Sequence, residues 1–195
     1  MNVYYFGRME KILVSACLLG DKTRYDGKDN AVEGLLGLLK FYELVPFCPE
    51  VEGGLKTPRR PAEIHYGRVF RDDGAELTRQ YDLGAKKALS LCKFLGIGKA
   101  ILKESSPSCG VHLIHNGRFD GGKIEGEGVT ARTLREAGIK VMNEDEGLKL
   151  LDSLLSKQAK REIEEAKTAK MEPKKMAKPK FERTKKHEKG NWKKR

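Results

Sequence analysis

The sequence predicts an α/β protein, with a mostly parallel sheet flanked by helices and a basic tail that is helical and then disordered. Two observations carry this expectation. Short apolar, β-rich runs alternate with helix-length segments through the first 155 residues, the order that lays down parallel strands through helical crossovers. The charge is also lopsided: residues 156–195 hold 16 Lys and Arg against six Asp and Glu, a net of +10 out of the chain's +11. The expected organisation is one folded domain over residues 9–155 and a Lys-rich extension over 156–195.

The elements follow in order. "KILVSAC" (11–17) is a first strand, and "AVEGLLGLLKF" (31–41) a helix that Gly34 and Gly37 each weaken by about 1 kcal/mol. "ELVPFC" (43–48) is a second strand. The next stretch, "PEVEGGLKTPRRPAEI", holds three prolines and a Gly-Gly pair and reads as irregular loop. "GRVFRDDGAEL" (67–77) is a small hairpin turning at Asp73-Gly74. A helix runs from Thr78 to Leu95, stopped by Gly96, and "KAILK" (99–103) is a third strand.

"VHLIHNGRFDGG" (111–122) alternates as a hairpin about Asn116-Gly117. "VTARTLREAGI" is a helix with Thr130 as N-cap and Gly138 as stop. "KVMNE" is a short strand. Asn143, with Glu146 three residues on, caps a last helix from about Asp145. Glu–Lys spacings in "SKQAKREIEEAKTAK" continue that helix, and beyond Met171 the near-absence of apolar residues predicts disorder in the free protein.

No run reaches the roughly 18 apolar residues of a membrane helix. The N-terminal apolar stretch opens on Glu10 and Lys11 and lacks a cleavage-site context, so it is not read as a signal peptide. The expectation is a cytoplasmic protein with reduced thiols, whose four cysteines point to a metal or catalytic role before a disulfide framework.

Three of those thiols fall at strand ends. Cys17 ends the first strand, Cys48 ends the second, and Cys109 lies just past the third, in "KESSPSCG". Parallel α/β sheets put their ligand crevice at this edge, and scattered thiolates that converge there suit zinc or an Fe–S cluster. Any one of them alone reads as well as a small buried hydrophobe. The neighbours Ser15, Gly20, Pro49, Gly53, Gly54, Ser105, Ser108 and Gly110 are small or turn-forming, and let backbone approach a bulky group. Cys92 differs: it shares a helix face with Ala88 and Leu95 and reads as core.

Three thiolates leave a tetrahedral site incomplete. Either a histidine closes it, from His65, His112 or His115, or a position stays open as a Lewis acid toward substrate. His112 and His115 sit in or beside an alternating strand and read better as strand-face residues.

The stretches "VSACLLG", "RYDG", "VPFCPEVEGGLKTPRRPAEI", "ILKESSPSCG" and "GEGVTARTLREAGI" follow in the order seen in the thiouracil desulfidase family. Residues 9 to 145 resemble that family, and the tail does not. The resemblance implies a single Rossmann-like domain with a 4Fe-4S cluster on three cysteines. It implies non-redox desulfuration of a thiolated pyrimidine, the substrate sulfur binding the open iron. Matched motif by motif, the ligands are Cys17, Cys48 and Cys109, while Cys92 matches no motif. Glu50 is assigned acid/base work on the attacking water, and Ser106 proton donation or substrate contact. A carboxylate on a crevice loop is placed to shuttle a proton, and a hydroxyl to donate to a developing ring anion. Arg59 is expected to hold a carbonyl or phosphate oxygen with Glu63 orienting it, and Ser15 and Lys103 to line the pocket. "GEGVTA" ends in a helix N-terminus, a general anion site.

The tail reads either as a solubilising extension or as an RNA contact, its cations neutralising phosphates while Phe181 and Trp192 stack on bases. In the second case the substrate is thiouridine in tRNA, and removal of residues 156–195 weakens RNA binding while sparing free thiouracil. Two other functions fit the same residues: an Fe–S enzyme for another thio-compound, and a nucleic-acid-binding protein whose cysteines hold a structural zinc.

Overall fold

Four parallel strands form the central sheet in the order β2-β1-β5-β8: β1 (Lys11–Ser15), β2 (Glu43–Phe47), β5 (Lys99–Leu102) and β8 (Lys140–Asn143). The structure, a computed structural model, describes residues 9–171. Residues 1–8 and the basic stretch 172–195, with Phe181 and Trp192, lie outside the described residues.

The apolar strands bury both faces. One face packs Leu13, Ala100, Leu102 and Val141 against α2 (Thr78–Leu95) and α3 (Val129–Glu136). The other packs Ile12, Val14, Ile101 and Met142 against residues 33–40 and Leu151 of α4 (Glu144–Met171). This is the α/β arrangement expected of alternating strands and helices. Pro46, which has no N–H for a ladder, sits in β2 at the sheet edge, where that loss is tolerated. Among the described residues no helix is long and apolar enough to cross a membrane.

Some local expectations are corrected. Residues Glu33–Lys40 form a 3-10 helix instead of an α-helix. A Cβ at Gly34 would meet the end of the Leu148 side chain at 2.8 Å, and one at Gly37 the end of Leu151 at 2.7 Å, so both glycines pack closely against these leucines. The stretch read as irregular contains α1 (Pro49–Glu52), started by a proline whose fixed φ suits the first helical position. It also contains β3 (Ala62–His65), which pairs antiparallel with β4 (Arg68–Arg71).

That hairpin turns at Tyr66-Gly67, both at positive φ, and Asp73-Gly74 makes a further tight turn after it. Asn116-Gly117 opens a seven-residue loop (116–122) between β6 (Leu113–His115) and β7 (Lys123–Glu125) in place of a two-residue turn. Gly128, not Thr130, caps α3, and the Thr130 hydroxyl instead meets Ser108 Oγ at 2.9 Å.

Other local signals hold. α2 spans Thr78–Leu95, with Gly96 in the left-handed conformation. Asn143 and Glu146 form a reciprocal capping box, each backbone N–H donating to the other's side chain at 2.9 Å. Compact units divide between Lys157 and Gln158, and residues 158–171 of the second unit are helical.

Candidate active site

All four sheet strands run parallel, so their carboxyl ends share one edge. The chain passes from β1 to β2 on one side and then to β5 on the other, which makes the ends of β1 and β5 a topological switch point. A cavity of about 490 Å³ opens there. Cys17 lies in the 3-10 turn Ala16–Leu19 just past β1, Cys48 is the residue after β2, and Cys109 follows β5 through the Lys103–Ser108 loop. All three line this cavity, and so do Glu50, Ser106, Ser15, Arg59, Glu63 and Lys103. Cys92 does not: it is 1 % exposed in the core, and burial pushes its thiol up to about 11.

Two of the lining thiols have polar partners. Asn30 Nδ2 donates to Cys17 Sγ at 3.6 Å, and Cys48 Sγ donates to Thr23 O at 4.0 Å. Burial pushes all three thiols above their ordinary range, Cys109 furthest. Negative charge on Cys17 and Cys48 raises Cys109 further, so the three sulfurs feel one another across the cavity. None is in a disulfide. Among the described residues no three His, Cys, Asp or Glu side chains converge closely enough to hold a single metal ion.

Glu50 is the hub of the polar wall. Its Oε2 accepts from Arg59 Nε at 3.0 Å and Nη2 at 2.8 Å, and from the Tyr81 hydroxyl at 3.2 Å. Its Oε1 accepts from Ser106 Oγ at 3.2 Å. Ser106 Oγ in turn accepts the backbone N–H groups of Ser108 and Cys109 at 3.0 and 3.1 Å. One hydroxyl thus ties the carboxylate to the loop that carries the third thiol.

Glu63, expected to orient Arg59, faces elsewhere: it accepts the Phe119 N–H at 3.1 Å and stands 3.9 Å from His115 Nδ1. Arg59 is oriented by Glu50, Thr57 Oγ1 and Thr23 O. Lys103 is similarly committed, its ammonium paired with Glu144, and Ser15 Oγ accepts the Lys103 N–H at 3.0 Å. Of the histidines, His115 lines the cavity, His65 is exposed, and His112 pairs with Glu146 at 3.2 Å.

Several contributors escape sequence reasoning. Tyr81 comes from the first turn of α2, 1 % exposed, and burial with the Glu50 charge beside it holds its phenol well above the ordinary range. Glu104 collects the N–H groups of Ser105, Val111, His112 and Leu113 and the Asn143 amide. Asn30 gave no signal, whereas "KESSPSCG" offered Glu104 as a carboxylate ahead of a turn.

A sulfur-rich inorganic group fits this donor set: three free thiols on one cavity, with Thr23 Oγ1 buried on the same wall and without a partner among the described residues. An N-terminal anion site at "GEGVTA" finds no room beside the thiols, because the α3 N-terminus spends its N–H groups on Pro107 and Ser108 carbonyls.

Comparison with known proteins agrees with the geometry. The chain is 43 % identical over 145 residues to the uncharacterized protein YbbK of Bacillus subtilis (strain 168), covering 69 % of this chain and 96 % of that one. It matches the solved structure of the 4Fe-4S-dependent thiouracil desulfidase TudS at 48 % identity and a TM-score of 0.70, covering 75 % of this chain and 98 % of that one. The sequence profile of the 2-thiouracil desulfurase family matches residues 12–146, and the chain belongs to that family.

Proposed function

We propose that the protein removes sulfur from a thiolated pyrimidine, exchanging C=S for C=O with water and releasing hydrogen sulfide, at a 4Fe-4S cluster held by Cys17, Cys48 and Cys109. The observation that carries this reading is the set of three free thiols, delivered by the ends of three parallel strands, that line one cavity. The 48 % identity to a 4Fe-4S-dependent desulfidase favours a cluster over the structural zinc of a nucleic-acid-binding protein. When bound, a cluster with three protein ligands supplies an open iron as Lewis acid for the thiocarbonyl sulfur.

The protein's own residues then move protons. Glu50 takes a proton from the attacking water, its carboxylate oriented by Arg59 and Tyr81. Ser106, hydrogen-bonded to Glu50, donates toward the substrate ring and recovers its proton from Glu50, so the pair works as a relay. Water supplies both the oxygen and the two protons that leave with sulfur, and no electron is needed. Arg59 serves through Glu50, and Ser15 through the Lys103 N–H.

Anaerobic purification tests this directly. The expected protein is brown, contains iron and acid-labile sulfide, and releases sulfide from 2-thiouracil or 4-thiouridine. A colourless zinc protein that releases none overturns the reading. The substrate includes thiouridine in tRNA: the net +10 over residues 156–195 supplies the cations to hold a polyanion beside a body that is nearly neutral.

A further inference from the structure

Four carboxylates line the cavity, and three are fully answered. Glu50 has Arg59, Asp72 has Arg60 at 2.6 Å, and Glu104 has four backbone N–H groups and Asn143. Glu63 is the exception. It is 7 % exposed, yet its hydrogen bonding among the described residues is one N–H, from Phe119 to Oε2. Its Oε1 faces His115 Nδ1 at 3.9 Å, and that nitrogen is buried with no hydrogen-bond partner among the described residues. Two under-committed groups thus stand side by side on the cavity wall, and the proton relay uses neither.

We infer that His115 and Glu63 form a substrate-orienting pair, in which Glu63 holds the proton on His115 Nδ1 and His115 Nε2 accepts a ring N–H of the pyrimidine. A closure of about 1 Å brings Nδ1–H to Oε1 within hydrogen-bond distance, and such contacts commonly tighten only when substrate is bound. A neutral imidazole whose Nδ1–H is engaged by a carboxylate presents Nε2 as an acceptor. A thiolated pyrimidine carries the matching donors on its ring nitrogens.

The same carboxylate positions an aromatic face. Phe119 has a φ of +57°, uncommon for a bulky residue, and its N–H is held there by Glu63. Phe119 lines the cavity and is 39 % exposed, which makes its side chain available to stack on a base. Glu63 is therefore a positioning residue for two groups that touch the ring, one at its edge and one at its face. This inference rests on the desulfuration reading for the identity of its substrate.

The test uses cluster-loaded protein, with turnover of 2-thiouracil and calorimetric binding of uracil, which carries the ring N–H groups but no sulfur. His115→Ala is expected to weaken KM and the uracil Kd about tenfold, with kcat within about threefold and iron content unchanged, as loss of one good hydrogen bond requires. Methylation of a ring nitrogen, in 1-methyl- or 3-methyluracil, is expected to cost wild-type binding about tenfold in one of the two and to cost His115→Ala nothing further. Glu63→Gln keeps an acceptor for both N–H groups and stays near wild type, Glu63→Ala costs at least as much as His115→Ala because it frees Phe119 as well, and the double variant is no worse than Glu63→Ala alone.

Unchanged KM and Kd in His115→Ala, loss of iron in that variant, or a methylation penalty that survives it would each overturn the inference. Wild-type protein replete with iron and sulfide that neither turns over thiouracil nor binds uracil overturns this and the desulfuration reading together. Wild-type turnover with an unaffected His115→Ala overturns only the pair.

Discussion

Ser106 donates its hydroxyl hydrogen to Glu50 Oε1 across 3.2 Å, joining the loop after β5 to the helical turn after β2. The hydroxyl also accepts two N–H groups from the loop of Cys109, so its one proton is aimed at the carboxylate. Glu50→Gln keeps the size of the side chain and most of its contacts but removes the base. It is expected to lower kcat by about 10²–10⁴ with iron content retained, the usual range for loss of a positioned proton-transfer group. Ser106→Ala lowers kcat as well and, by leaving two loop N–H groups without an acceptor, costs about 1–3 kcal/mol of stability. Sulfide release and denaturant melts on the same samples separate the two effects.

The thiols should sort into three and one. Replacing Cys17, Cys48 or Cys109 by Ala is expected to remove the cluster iron. Cys92→Ala keeps it and costs on the order of 1–2 kcal/mol, the price of a small cavity among Ala88, Leu134 and Val141. Iron and acid-labile sulfide assays on anaerobic preparations decide it, and loss of iron from Cys92→Ala would mean that the ligand set is wrong.

What was legible in the sequence was local. The Asn143–Glu146 capping box, the Gly96 stop and the thiols at strand ends depend on neighbours a few residues away. The partners of the site were not legible, because they meet through tertiary packing. Glu50 lies 31 residues from Tyr81 and 56 from Ser106. Arg59 has Glu50 nine residues before it and Glu63 four after it, and only the placement of α1 against the cavity makes Glu50 the partner. The β3–β4 hairpin was hidden because Tyr66 adopts a positive φ that its side chain does not advertise.

Glu104 supplies a pH dependence. Burial raises its pKa, but the N–H groups of Leu113, His112 and Ser105 and the Asn143 amide outweigh this and hold it at about 2, against 4.5 in an ordinary carboxyl. A depressed folded-state pKa means stability that is fully present above about pH 4.5 and lost as pH falls toward about 2. The carboxylate is only part-buried, so solvent screening leaves on the order of 2 kcal/mol at neutral pH. Wild type is therefore expected to exceed Glu104→Gln by that amount at pH 7, with the gap closing by pH 2. Urea melts of metal-free protein across this range measure it without interference from cluster loss in acid.

Close backbone packing fixes where Cys48 and Glu50 sit. A Cβ at Gly84 would lie 2.0 Å from Pro49 O, and one at Gly53 would lie 2.2 Å from Gln80 O, so α1 rests directly on the backbone of α2. Gly84→Ala gains about 1 kcal/mol of helix propensity. It must push α1 away, and overpacking of this kind costs about 1–3 kcal/mol or more. The clash is with backbone, which cannot rotate aside, so net destabilisation and lower kcat are expected together. Gly98→Ala, where a Cβ meets nothing within 4 Å, is the control and stays within about 0.5 kcal/mol of wild type.

The basic extension gives the last prediction. Residues 156–195 carry a net charge of +10, while the rest of the chain carries +1, so the net positive charge that a polyanion meets lies almost wholly in this segment. If those cations hold RNA, affinity falls with salt in proportion to the number of phosphates neutralised. Residues Glu144–Lys157 belong to the first compact unit and include Leu151 of its core, so the cut is best made after Lys157. The truncated protein is expected to keep its iron and its kcat on free 2-thiouracil. It should lose most of its affinity for tRNA at low salt, and with it most of the slope of log Kd against log salt. Filter binding of the two proteins at several salt concentrations measures this, and an unchanged slope would leave the extension a solubilising segment and thiouridine in tRNA without a means of capture.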